Sequence, residues 1–574
     1  MKWNKKWTIS ALALAAALTT ALAGCSGGGS GGSAESGTTP QATPSASGEA
    51  TATPGPKKEI TVTTYDTGRV AQDEGTNADN RWTRWINENG PVNVTYEAIT
   101  FAQLREKVNV MYASGSAPDL LMAFDPVLRN SLYDQKQLMP IDDLVENHST
   151  EYKKLLEENP LLRKAGTKPD GKLYEVGRIQ WVNPLRGIMI REDWLEKLGL
   201  EVPTTTEELY QVAKAFAEQD PDGNGVKDTY GIALSGSAEY TITQMFYAIK
   251  PWVVEDGKLV WKWEYIKEAT AFKKRLYEEG IVDRDFFNDK NMAKAKQDFI
   301  NGKLGIFTPN FNSPQDIVLQ YLDPLQENVP DAKITLIPFP ESPFGRFTPT
   351  LENPVQMTGA ISATTKEPEA VMAYIDFMVS DKTADVLDYG LEGVHTETVN
   401  GCPQVIDQDK FKKEVSDITV FMKMLTSSGL RFDKCSLPAV MFKDDPRVQE
   451  YYQLLRDTYL NFDVPYAELT HSEHMPQLPR ELADIVANTD RQVSSQVNAG
   501  NGTIWAQAIV GGTTPEEAMA EAIAVWEQAG GKQVEEWMAN WYATEKDNAF
   551  LAEDMYEIAK QQDELYRKIL SELN

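Results

Sequence analysis

The feature that most constrains this chain is an alternation of strand-like and helix-like segments that begins at residue 59. Residues 60–65 (Ile-Thr-Val-Thr-Thr-Tyr) read as a strand, and residues 92–96 alternate apolar and polar as a second. Thr100 and Gln103 form a capping-box pattern, after which Phe101, Leu104, Val108 and Met111 fall on one helical face. Residues 119–124 form an apolar third strand. Strand–helix–strand order of this kind predicts a parallel sheet covered by helices. A second set follows. Thr204/Thr205 with Glu207/Glu208 open a helix carrying Leu209, Val212, Ala213 and Phe216, and residues 230–235, 304–308 and 333–338 read as strands. Helical patterns dominate again at 367–380, 481–499, 514–529 and 532–572, whereas 400–480 is the least legible stretch and no internal repeat is present.

Composition narrows the function. A chain of 574 residues, 41% hydrophobic, buries a large core and at this length divides into at least two lobes. Its 56 Lys+Arg face 85 Asp+Glu, a net charge of -29, with no basic block to hold phosphates. A nucleic-acid-binding body is thereby excluded, because phosphate affinity comes from clustered cations. Only the N-terminus has an apolar stretch near membrane-spanning length, which excludes a multi-span transporter.

That N-terminus is laid out as a secretory signal over residues 1–24: Lys2, Lys5 and Lys6, then a short run of small apolar residues. The alternative, an uncleaved anchor helix, is disfavoured by its length and its Ala/Thr content. Leu22-Ala23-Gly24-Cys25 resembles a bacterial lipobox, in which the Cys25 thiol is lipidated and becomes the mature terminus. Two acyl chains there would give stable anchoring to the outer face of the cell membrane. Residues 25–58 hold the lipidated Cys and a Gly/Ser/Thr/Pro tether without large apolar residues; as a coil it reaches about 30 Å.

Six further segments, in order, carry a resemblance. They are 112–119 (Tyr-Ala-Ser-Gly-Ser-Ala-Pro-Asp), 136–144 (Lys-Gln-Leu-Met-Pro-Ile-Asp-Asp-Leu), 191–205 (Arg-Glu-Asp-Trp through Pro-Thr-Thr), 220–228 (Asp-Pro-Asp-Gly-Asn-Gly-Val-Lys-Asp), 299–305 (Phe-Ile-Asn-Gly-Lys-Leu-Gly) and 389–395 (Tyr-Gly-Leu-Glu-Gly-Val-His). The chain resembles the extracellular solute-binding lipoproteins of carbohydrate ABC importers, the maltodextrin-binding-like family 1, in its long Gram-positive subgroup. The resemblance implies an α/β, two-lobed periplasmic-binding-protein-like fold of class II type, each lobe a mainly parallel sheet flanked by helices, joined by a hinge of two or three crossing segments. It places residues 59–185 plus about 341–400 in the first lobe, 186–340 plus about 401–545 in the second, and 546–574 in an additional C-terminal helix. It implies a monomer that closes on an oligosaccharide and delivers it to the transmembrane subunits of an ABC permease.

Residues 220–231 carry the sharpest local motif. Asp220, Asp222, Asn224, the Val226 carbonyl and Asp228 occupy the oxygen positions of a calcium loop, with Gly225 at its tight turn. Gly231 stands where the pattern has a bidentate Glu, so Thr229 or a distant acid would complete the shell. The competing reading is a solvated turn rich in Asp, Asn and Gly. The resemblance implies a structural calcium here. For the ligand, aromatic and polar residues near strand ends and crossings are the candidates, since sugars offer apolar faces and hydroxyls. These are Tyr65, Asp66 and Asp125 on the first lobe; Gln180, Trp181 and Arg186 at the first crossing; Trp252, Phe311 and Asn312 on the second lobe; and Glu392. Arg178, Arg186 and Arg191 admit either recognition of a uronate carboxylate or salt bridging, the latter preferred for Arg191 beside Asp193.

No catalytic residues are assigned. The four His (His148, His395, His471, His474) match no metal or nucleophile motif, and no phosphate-binding Gly loop occurs. Cys402 and Cys435 either pair as a disulfide or remain thiols. Beside the binding-protein reading stand two others, a surface-anchored glycan-active enzyme and a ligand sensor for a membrane kinase.

Overall fold

The computed structural model describes residues 56–182, 186–311, 315–349, 353–427, 435, 445–459, 476, 478–497, 502–547 and 549–573. The signal and Cys25, most of the tether, Asn312, His471 and His474 lie outside them.

Strands are numbered along the chain. β1 (Glu59–Tyr65), β2 (Asn93–Ile99), β3 (Leu120–Met122), β4 (Glu175–Ile179) and β11 (Val355–Ile361) form one sheet in the order β2-β1-β3-β11-β4. β5 (Ile188–Arg191), β6 (Tyr230–Ile232), β9 (Leu304–Phe307) and β10 (Ile334–Ile337) form a second, ordered β10-β5-β9-β6. β7 (Trp252–Glu255) with β8 (Lys258–Trp261), and β12 (Thr396–Val399) with β13 (Cys402–Val405), are separate hairpins.

Neither main sheet is mainly parallel, and this corrects the sequence reading. β1 runs parallel to β2 and β3, but β11 lies antiparallel between β3 and β4. β6 is parallel to β9, while β5 is antiparallel to both β9 and β10. The cause is the path of the chain. β5 follows β4 by way of residues 180–187, and β11 follows β10 by way of 338–354; each enters from the other sheet, so no helical crossover sets its direction.

The second sheet is covered on both faces. Along β5, Ile188 and Ile190 join a core with Phe216, Trp263 and Trp505, while Met189 joins another with Phe307, Tyr321 and Leu455. Successive strand side chains point to opposite faces, so a continuous apolar run is what two-sided burial requires. The helix Thr206–Glu218 starts at the expected capping box of Thr205 and Glu208. The Thr100/Gln103 box is not formed. Thr100 donates instead to the Gln103 side chain (3.0 Å), and a 3-10 turn, Phe101–Gln103, precedes the helix Leu104–Ser114. The stretch 532–572 is two helices, Gly531–Glu545 and Ala552–Leu573. Cys402 and Cys435 are joined by a disulfide. Among the described residues no helix is long and apolar enough to cross a membrane.

Core membership shows where late segments go. Val415, Ile418, Met422, Met424 and Leu425, expected with the second lobe, pack in the first-sheet core with Val62 and Met372. Val448 and Leu455 then join the second sheet, and Phe550, Met555, Tyr556 and Ala559 return to the first. The last helix also touches the first crossing. The Gln562 side chain accepts from the Val182 amide (2.8 Å) and donates to the Gln180 carbonyl (2.9 Å). Beyond it, Asp563 pairs with Arg456, which is 1% exposed and lies on the Tyr566 ring at 4.3 Å. Arg456 belongs to the helix Pro446–Tyr459, whose Tyr451 hydroxyl donates to the Ile334 carbonyl of β10 (2.9 Å). One helix therefore holds both a crossing segment and an element of the second sheet. Replacing Asp563 by Ala strands a buried guanidinium, and urea unfolding should show a loss of about 3–5 kcal/mol; a loss below about 1 kcal/mol would show that the pair is not a structural tie.

Candidate functional site

The C-terminal ends of β1 and β3 carry an aromatic cluster. Tyr65 ends β1 and is buried, and the Phe124 amide donates to its hydroxyl at 2.9 Å. Phe101 stacks on the Tyr65 ring at 4.0 Å, and Phe421 tilts against both, 5.0 Å from Tyr65 and 5.2 Å from Phe101. Phe101 is 55% exposed, because the 3-10 turn rotates it off the helical face that buries Leu104 and Val108. An exposed phenyl backed by a buried ring is a flat apolar surface of the kind that sugar C–H faces meet. Arg178 of β4 closes one side. Its guanidinium lies 5.4 Å from the Phe124 ring and donates to the Gln356 side chain (2.9 and 3.1 Å) and the Lys423 carbonyl (2.5 Å).

Of the acids expected here, Asp66 is exposed and accepts from the Gly68 amide (3.1 Å). Asp125 is committed to structure: it caps the helix Pro126–Asp134 through the Leu128 amide and forms an ion pair with Arg105. Burial pushes its carboxyl up, but Arg105 and the Leu128 amide outweigh that and hold it below the usual range. Phe101, Phe124 and Phe421 escaped the sequence reading. Phe421 carried no signal of its own, since it is remote in sequence from β1 and lies near Lys423 in a stretch without clear periodicity.

The remaining candidates are dispersed. Gln180 donates to the Thr426 carbonyl (3.3 Å), and Trp181 is buried beside Tyr452 and Tyr566. Trp252 is buried in the second-sheet core with its ring 5.1 Å from Trp261, and Phe311 is buried 6.0 Å from Tyr321; both rings serve packing. Glu392 is exposed and accepts from Thr398 (2.8 Å). Arg186 is half-buried with its guanidinium 4.3 Å from the Tyr240 ring. Arg191 donates to Asp193 (2.6 and 2.8 Å), the structural role preferred for it. The second crossing adds two stacked pairs, Phe344 on Tyr265 (3.8 Å) and Phe347 on Tyr247 (5.2 Å).

In the 220–231 loop, Asn224 turns its amide nitrogen to the carboxylates, while its Oδ1 accepts from the Val226 amide (2.7 Å). Asn224 Nδ2 donates to Asp222 (2.7 Å) and Asp228 (3.0 Å), and Asp220 accepts from the Gly225 amide (3.1 Å). Asp220 Oδ1 is buried without a hydrogen-bond partner. Burial and the hydrogen bond with Asp220 hold the Asp222 carboxyl above its usual range. Lys303 donates to Asp228 at 2.7 Å. The Thr229 hydroxyl donates to the Phe216 carbonyl (2.8 Å), and the residue is buried. At Gly231 a Cβ would fall 1.9 Å from the Ala213 carbonyl, so no Glu can stand there. Among the described residues no three His, Cys, Asp or Glu side chains form a metal-ready group.

Two of the four histidines, His148 and His395, lie among the described residues. His395 is buried 3.1 Å from Glu414, and burial holds its imidazole below the usual pKa despite that carboxylate. His148 faces Glu369 at 3.6 Å on the surface.

Two sheets that exchange strands, with an aromatic face at the strand ends of the first, define a two-lobed binding protein of the periplasmic-binding-protein type. The chain belongs to the bacterial extracellular solute-binding protein family, whose model matches residues 73–385, more than half of its length. It is similar to the lipoprotein LipO of Bacillus subtilis, 26% identical over 459 residues that span 77% of this chain and 84% of that protein. It is also similar to the polygalacturonan/rhamnogalacturonan-binding protein YtcQ of the same species, 25% identical over 75% of this chain and 81% of that one. In fold it resembles an EF-hand mutant of the S. pneumoniae ABC-transporter substrate-binding protein FusA, in complex with fructo-nystose. The TM-score is 0.60 at 19% identity, covering 86% of this chain and all of that one.

Proposed function

We propose that this protein captures an oligosaccharide between its lobes outside the cell and hands it to an ABC permease without transforming it. The observation that carries this is the exposed Phe101 ring stacked on Tyr65 at the end of β1, beside Phe124, Phe421 and Arg178. Such a surface offers stacking and hydrogen bonding. The fructo-nystose bound to FusA and the glycans in the name of YtcQ support the same class. Closure would follow because contacts to both lobes exist only in the closed form. An enzyme of the same shape would turn over its ligand, and a sensor would bind a kinase in place of a permease.

The 220–231 loop would hold a structural calcium through Asp220, Asp222, Asn224 and Asp228 with the Val226 carbonyl. The orphaned Asp220 oxygen and the crowded Asp220–Asp222 pair fit a divalent cation, which would supply the missing positive charge. Gly231 leaves that shell short of the bidentate ligand, so binding would be weak by the standards of complete loops. The Cys25 thiol would carry the lipid anchor.

Purified protein should gain thermal stability from an oligosaccharide panel, by about 2.7 kcal/mol at a hundredfold excess over Kd. Phe101→Ala should leave the ligand-free Tm nearly unchanged while weakening binding about tenfold. A panel without any shift, or release of cleaved sugar, overturns the reading. Calcium should raise the Tm of the parent chain but not of Asp220→Ala/Asp222→Ala, and an equal response in both removes the metal assignment. Cys25→Ser should appear in the medium, and continued membrane attachment would refute lipidation.

A further inference from the structure

Among the described residues every buried or half-buried arginine other than Arg186 has an oxygen partner, a carboxylate for Arg447 and uncharged oxygens for Arg178 and Arg346. Arg81, Arg105, Arg129, Arg191, Arg456 and Arg567 each face a carboxylate. Arg186 does not. Among the described residues its guanidinium meets no acid and no hydrogen-bond acceptor, although it is half-buried and the chain holds 85 Asp+Glu. A guanidinium has five N–H donors in a rigid fork, and leaving them unmet while removing water from them is unfavourable.

The surroundings fix this group in place. Arg186 pairs through its backbone with Asn310, just beyond the C-terminal end of β9, and its guanidinium rests on the Tyr240 ring at 4.3 Å. The next residue, Gly187, is packed so closely that a Cβ would meet Leu455 at 2.9 Å and Leu336 at 3.4 Å, so the backbone under Arg186 has no slack. Two residues before Asn310, the Thr308 hydroxyl is also buried without a partner. The crossing 180–187 thus has a guanidinium near each end: Arg178 on the ring of Phe124 in the first lobe, and Arg186 on the ring of Tyr240 in the second. Stacking on an aromatic face leaves the edge of an arginine fork open, and that edge matches a planar carboxylate by two parallel hydrogen bonds.

We infer that Arg186 is a specificity-determining residue that binds the carboxylate of an acidic, hexuronate-containing oligosaccharide, with Tyr240 holding its fork in position. This rests on the sugar-binding reading above and narrows it to anionic glycans. A neutral sugar would leave Arg186 unneutralised in the closed form, whereas a uronate supplies the missing anion. Because the rest of the protein is strongly negative, the local cation also overcomes the general repulsion of an acidic ligand.

The test titrates the full-length chain in detergent with trigalacturonate, trimannuronate, the methyl ester of each, and a neutral trihexose. At least one free acid should bind at least about tenfold more tightly than its ester. Arg186→Gln should remove that difference, weakening the acid while leaving the ester unchanged, and Arg186→Lys should restore part of it. If esters or the neutral trihexose bind as tightly as the acids, the inference fails while the oligosaccharide reading stands. If Arg186→Gln weakens acid and ester equally, Arg186 is a packing residue and the inference fails. If no probe and no member of a wider glycan panel binds, both readings fall.

Discussion

The interaction on which the architecture depends is the insertion of β11 between β3 and β4. Three of its residues pair with β3 and five with β4, all antiparallel. The strand arrives from the second sheet, where β10 has just paired with β5, itself arrived from the first. Each sheet is therefore completed by a strand that has visited the other. The two lobes are covalently interlaced, and the crossings are anchored in both. Buried strand hydrogen bonds cannot be left unmade, so the sheets cannot exchange these strands.

The sequence revealed much of this framework. Segments with strong periodicity, such as β1, β2 and the helix Thr206–Glu218, lie where pattern and capping put them. Strand direction was hidden, because an apolar run such as β5 reads the same whether its neighbours are parallel or antiparallel. The exposed face of the site was hidden for a related reason. Phe101 continues the spacing of Leu104 and Val108, and only the 3-10 turn, which no propensity announces, turns it outward. Phe421 and the neighbouring apolar residues lie in the stretch whose pattern was least legible, and they join the first core by a long return of the chain. Aromatics chosen for their place near strand ends divided accordingly. Tyr65 supports the candidate face, whereas Trp252 and Phe311 fill cores.

Charge is arranged unevenly. The acidic excess of the sequence says little about site chemistry, but it makes unneutralised cations conspicuous. Asp220, Asp222 and Asp228 crowd one loop, with the Asn224 amide inserted among the carboxylates in the role a cation would take. At Arg186 the situation is reversed, a cation resting on an aromatic ring with no anion among the described residues. Both are places where protein groups alone leave a local imbalance, and such places are where small partners bind most selectively.

The last helix has a consequence for biogenesis. Phe550, Met555 and Tyr556 complete the same core as Ile60 and Val62, so residues at opposite ends of the chain meet. A chain emerging N-terminus first cannot finish this core until residues 550–559 appear. Such long-range closure slows folding and keeps apolar surface open meanwhile. Were such a chain exported in extended form, that delay would preserve its competence for passage, and docking of the late helix would be the step that commits it to a fixed shape.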